Sequence, residues 1–144
     1  MSFLLSAQAL VDLLAGGSGL DALSDAIEVS QAQLSAVVIA EVRATFNQLD
    51  RSLPAAAVLN AHLDLAVRQA SAGARIRAFD LGAAERFAEL ASLQLVDEDG
   101  DELSVLTRMM LASAWHSGLT VISPEVPWEN TVAVLGIQLI TYTR

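Results

Sequence analysis

Four features of this 144-residue sequence combine residue types that could do chemistry. The most charged, Asp97-Glu98-Asp99-Gly100-Asp101-Glu102, has the carboxylate density of a calcium loop, because hard divalent cations take oxygen ligands. An EF-hand loop needs glycine at its sixth position and glutamate at its twelfth. Counted from Asp97, Gly100 is fourth and the twelfth residue is Arg108, so the motif fails. The stretch reads as a solvated turn whose charge complements the amino-terminal dipole of the helix that follows. The two histidines, His62 and His116, lie too far apart in sequence for a close ligand pair, and no cysteine is present to supply a thiolate. Arg75 and Arg77 flank Ile76, which allows a local basic cleft or, more simply, the outer face of a strand. The fourth feature is a turn without charge, Ser6-Ala7-Gln8. It falls where a short strand, Phe3 to Leu5, passes into a helix, the place where parallel α/β folds bind ligands.

The elements that must position these residues follow from periodicity and punctuation. The first helix carries Leu10, Leu13 and Leu14 on one face and ends at Gly16-Gly17-Ser18-Gly19. Ser18 with Asp21 resembles a capping arrangement, and Leu20, Leu23 and Ile27 follow at helical spacing. A short strand over Ala32 to Ala36 leads to Ser35 as the cap of a helix with Val38, Val42 and Phe46 on its apolar face. Pro54 suits the first turn of another helix, in which Leu59, Leu63 and Val67 recur and Asp64 can pair with Arg68. Ala74 to Phe79 reads as a strand, and Asp80 caps a helix whose Ala84, Phe87, Ala88 and Ala91 line one side. A helix from Ser104 to His116 ends at Gly118, with strands over Leu119 to Ile122 and Ile137 to Tyr142. Strands alternating with helices predict one α/β domain over residues 1–144 with a mostly parallel sheet.

Composition bounds the partners. The formal charge is −9 and every basic residue is arginine, which disfavours non-specific binding to RNA or DNA. The amino-terminal apolar stretch lacks a positive leader and is interrupted by Gln8 and Asp12, so a signal peptide is not expected. No apolar run approaches the roughly 20 residues that span a bilayer. A cytoplasmic protein with no membrane association is the expectation.

Several phrases, taken in order, resemble the PIN-domain family, especially its VapC-type toxins. FLLSAQALVDLL is similar to that family's first strand and helix, LSAVVIAEVRATF to its S-x-x-x-x-x-E helix, and SVLTRMMLASAWHSGLTVIS to its later helix, His-Gly turn and strand. SPEVPW is similar to the element after that strand, with Trp128 at its aromatic position. The resemblance implies a PIN-like three-layer sandwich, a central, mostly parallel sheet flanked by helices. It also implies four acidic positions that hold Mg²⁺ or Mn²⁺ and activate water against RNA. Carried onto this chain, those positions fall on Ser6, Glu41, Thr107 and Glu125, so two of the four carboxylates are replaced by hydroxyls. The remaining metal ligands would be Glu41 and Glu125, with weak or absent binding. At an effective dielectric near 20, each full charge about 4 Å from a cation is worth several kcal/mol per unit of cation charge.

Three readings follow. The first is a PIN-like protein with an impaired or extinguished site that acts as an interaction module, with a second copy of itself or an antitoxin-like peptide as partner. The second is an active Mg- or Mn-dependent endoribonuclease, the toxin of a toxin–antitoxin pair, in which Asp12 or Asp101 joins Glu41 and Glu125. The third is an unrelated α/β binding domain, in which Ser6, Glu41, Thr107 and Glu125 would not converge. His116, Trp115 and Trp128 read as packing residues.

Overall fold

In the computed structural model, residues 2–16, 18–24 and 28–144 are described; Gly17 and Ile27 lie outside them. Strand β1 (Phe3–Leu5) turns at Ser6 into α1 (Ala7–Ala15). Ser6 is extended and its Oγ accepts from the N–H of Ala9 at 3.2 Å, which satisfies one of the orphan donors at the helix start. Gly16 closes the helix in the left-handed region, with φ 76°. Helix α2 (Ser18–Ser24) and a 3-10 turn (Val29–Gln31) lead to β2 (Leu34–Ser35), and Ser35 caps α3 (Ala36–Asn47) through the N–H of Val37. Pro54 opens α4 (Pro54–Ala72), as expected of a residue whose missing N–H costs nothing there. Next come β3 (Ile76–Arg77), α5 (Leu81–Ala91), α6 (Val105–Ser117), β4 (Thr120–Pro124), α7 (Glu129–Val134) and β5 (Leu139–Tyr142).

Among the described residues the named strands pair in parallel. The order β1-β4-β5 forms one sheet and β2-β3 another, and a parallel bridge between Leu4 and Gln33 joins them. The N–H of Gln33 donates to Phe3 O at 2.8 Å and that of Leu5 to Gln33 O at 3.2 Å, so the spatial order is β3-β2-β1-β4-β5. The chain moves one way from β1 to β3 and then returns to the other side of β1. With right-handed crossovers, opposite directions of travel place helices on both faces, the three-layer arrangement expected from the sequence. Leu4, Leu5, Val121 and Ile122 at the centre of the sheet are fully buried, and each such side chain stabilises by about 1.5–3 kcal/mol.

Four local expectations need correction. Asp64 pairs with Arg43 of α3, not with Arg68. Strand β3 is only Ile76–Arg77, because Ala74 already stands at φ 54°, a turn conformation that ends pairing. Its arginines are not a free outer face. Arg75 donates to the carbonyls of Ser30 and Ala32 at 3.0 and 3.2 Å, and Arg77 to Gln33 Oε1, so both tie β3 to the segment entering β2. In α5 the buried residues are Ala83 and Leu90, with Phe87 half-buried and Ala88 and Ala91 exposed. The apolar face is turned by one residue from the expected one.

Candidate functional site

Strand order reverses between β1 and β4, and in open α/β sheets the crevice outside the carboxyl ends of such strands is the place for a ligand. A cavity of about 200 Å³ lies there, lined by Ser6, Gln8, Glu41, Thr107, Ser123 and Trp128 among others. The N–H of Ser6 donates to Ile122 O at 2.9 Å, which pins the start of α1 beside the end of β4. Glu41 stands three residues after buried Val38 and one before buried Val42, at the rim of the buried face of α3. Partial burial pushes its carboxyl above the usual carboxylate range. Thr107 is held in the first turn of α6 by a reciprocal pair: its N–H donates to Ser104 Oγ at 3.1 Å, and the Ser104 hydroxyl donates to Thr107 Oγ1 at 2.8 Å. Ser123, on β4, is 1% exposed, and its Oγ has no hydrogen-bond partner.

Three of the four positions singled out in the sequence, Ser6, Glu41 and Thr107, thus come together, with Trp128 beside them. Glu125 does not line this cavity. It is exposed one residue beyond β4, where its N–H donates to Tyr142 O at 3.1 Å and its carboxylate accepts from Thr143 Oγ1 at 3.4 Å. Ser123 is the residue sequence reasoning missed, since a serine inside an apolar strand gives no signal of its own. Of the lining residues only Glu41 carries a carboxylate, and among the described residues no three His, Asp or Glu side chains gather as a metal site.

Neither acid considered as a substitute lines this cavity. Asp12 is buried and accepts from the Tyr142 hydroxyl at 2.6 Å, Arg144 Nη2 at 2.8 Å and Gln8 Nε2 at 3.3 Å. Asp101 belongs to a self-bonded turn, in which Asp97 Oδ1 accepts from the N–H groups of Asp99 and Asp101 at 2.9 and 3.0 Å. His116 is structural: its Nε2 lies 3.9 Å from Asp80 Oδ1, and its ring covers Gly82. Trp115 packs beneath the Arg86 guanidinium, 4.4 Å from the ring centre, a cation–π contact.

A larger cavity, about 440 Å³, opens between α1 and α4. Its walls include Leu10, Leu14, Val29 and Leu65; among its polar groups His62 Nδ1 lies 3.0 Å from Leu14 O and Arg75 donates to two carbonyls. It offers mainly apolar surface, with the Nε2 of His62 as its one imidazole nitrogen without a hydrogen-bond partner among the described residues.

Fold and cavity together define a parallel α/β protein, five-stranded among the described residues, with its crevice at the β1/β4 switch point. That architecture is shared with several solved structures. A chain of FitAB bound to IR36 DNA superposes with a TM-score of 0.73 at 20% identity, over 96% of this chain and 94% of that one. FitAcB from Neisseria gonorrhoeae gives a TM-score of 0.72 at 21% identity, over 96% of each chain. VapBC2 from Rickettsia felis, bound to a DNA fragment from its promoter, gives 0.73 at 13% identity over 99% of each. At these identities the likeness establishes the fold alone, and it is the PIN-like α/β fold expected from the sequence. No family model and no curated protein sequence matches the chain. Among the described residues no helix is long and apolar enough to cross a membrane.

Proposed function

We propose that this chain is a VapC-type, PIN-like protein whose nuclease centre is impaired or extinguished and which acts as an interaction module. The observation that carries this reading is the lining of the switch-point cavity, one carboxylate and three hydroxyls. Mg²⁺ and Mn²⁺ are hard cations that draw most of their binding free energy from anionic oxygens. Serine and threonine keep an oxygen in place and contribute no charge. Glu41 alone, raised by its own desolvation, is a weak anchor, and Glu125 is turned to Thr143. The donor set therefore does not fit a tightly held divalent cation, and no reaction step is derived through one.

The partner side of the reading rests on the fold. FitAB and VapBC2 are two-component complexes. An antitoxin-like peptide and a second copy of this chain are the partners proposed, in a cytoplasmic setting. The apolar cavity between α1 and α4, with exposed Val58 and Leu65 on α4, supplies surface for such a peptide. The net charge of −9 opposes RNA as a partner.

Incubation of the purified chain with Mn²⁺ and single-stranded and hairpin RNAs tests the catalytic part. The expected result is no cleavage above that of the Glu41→Gln variant. Metal-dependent cleavage that disappears in Glu41→Gln would overturn the reading and favour an active endoribonuclease with a non-standard ligand set.

A further inference from the structure

Two features of the switch-point cavity have no role in the account so far. Ser123 Oγ is buried without a partner, although an unpaired buried hydroxyl costs about 1–3 kcal/mol. The Glu41 carboxylate has neither an ion pair nor a hydrogen bond among the described residues, and no arginine or histidine lines the cavity. Such groups are retained most simply where a ligand satisfies them.

We propose that the cavity binds a primary ammonium group carried on a short alkyl chain. An ammonium brings one positive charge and three N–H donors. Glu41 neutralises the charge, and Ser123 Oγ accepts one of the donors. Ser6 Oγ accepts from Ala9 and Thr107 Oγ1 from Ser104, and each keeps a second lone pair for the ligand. The Trp128 ring attracts a cation over its face. Val38, Leu106 and Met110 form the apolar wall against which methylene groups pack. A volume of about 200 Å³ accommodates the head group and a few carbons. The start of α1 opposes this with a partial positive charge of about one half, already capped by Ser6, against the full charge of Glu41. A protein of net charge −9 also concentrates cations near its surface. The inference rests on the proposed absence of a tightly held divalent ion in the same cavity.

The ammonium could belong to a free alkylamine or to a lysine side chain of a partner. Titration calorimetry of the full chain with butylamine and with Nα-acetyl-lysine N-methylamide separates the two, with butanol as the uncharged control. Saturable one-to-one binding of either amine, absent for butanol, is expected. Binding should weaken by about tenfold or more in Glu41→Gln and by a smaller factor in Ser123→Ala. Equal affinity for the two amines identifies the head group alone as the ligand, and preference for the blocked lysine points to a partner's side chain. Absence of saturable amine binding, or equal binding by wild type and both variants, would overturn the inference. Tight Mg²⁺ binding with RNA cleavage would instead overturn the proposed function, so the two failures are distinguishable.

Discussion

Asp12 is the position where structure and alternative mechanism make opposite demands. Its side chain is 9% exposed and receives Tyr142, Arg144 and Gln8, so it fastens α1 to the carboxyl-terminal end of the chain. Replacing it with alanine leaves the hydroxyl of buried Tyr142 without an acceptor, a loss of about 1–3 kcal/mol. The Arg144 ion pair adds at most about 1 kcal/mol, because the arginine side chain is 57% exposed and solvent screens it. The sum is about 1–4 kcal/mol, equivalent to a fall of about 3–12 °C in Tm for a domain of this size. Asp12→Asn keeps an oxygen for Tyr142 and should lose only about 1 kcal/mol. Thermal and urea denaturation followed by circular dichroism, with the Asp12→Ala, Tyr142→Phe double-mutant cycle, measures the coupling directly. A loss below about 0.5 kcal/mol for Asp12→Ala would refute the structural role, since changes that small are typical of surface sites. It would also return Asp12 to the candidates for a displaced metal ligand.

Three further outcomes follow from the same geometry. Burial, then the hydrogen bond to Asp12, pushes the Tyr142 hydroxyl well above the ordinary tyrosine value of 10.0. The folded state therefore holds this proton above the pH at which the unfolded chain releases it. Stability should fall as pH rises above about 10, and less steeply in Tyr142→Phe, in urea melts across that range. For Glu41 the raised carboxyl means that ionisation at neutral pH costs stability, so Glu41→Gln should match or exceed wild type in Tm at pH 7. That difference should vanish below 4.5, the ordinary glutamate value. A Glu41→Gln variant clearly less stable at neutral pH would contradict it. At Gly82 a Cβ would stand 2.1 Å from His116 Cε1. The His116 side chain is exposed and its ring can swing aside, so Gly82→Ala should cost no more than about 1 kcal/mol. Most of that loss should return when His116→Ala is added, as read by denaturation.

The helix starts were legible because the signals are local. Ser6, Ser35, Asp80 and Ser104 each cap a helix through their own side chains, and Gly16 and Gly118 close helices in the left-handed region. The face of α5 was not legible, because LGAAERFAELA is rich in alanine, which fits either side of a helix, so the periodicity cannot fix the phase. Helix α7 is six residues long and gives too few repeats to be read between two loops. At the site, Ser6, Glu41 and Thr107 were legible through the order of family-like phrases, whereas Ser123 and Glu125 were not separable. Residues two apart share a face only while a strand continues, and β4 ends at Pro124. Ser123 therefore stays against the cavity, and Glu125 leaves with the following turn.

The measurement that tests the central claim most directly is calorimetric titration of Mg²⁺ and Mn²⁺ into wild type and into a variant carrying Ser6→Asp and Thr107→Asp. Wild type should show no saturable binding at millimolar concentration. The double variant, with carboxylates restored on the two hydroxyl positions, should bind at least about a hundredfold more tightly, the factor left after generous discounting of two charges for solvent. Saturation of wild type at micromolar Mn²⁺, abolished by Glu41→Gln, would contradict the account.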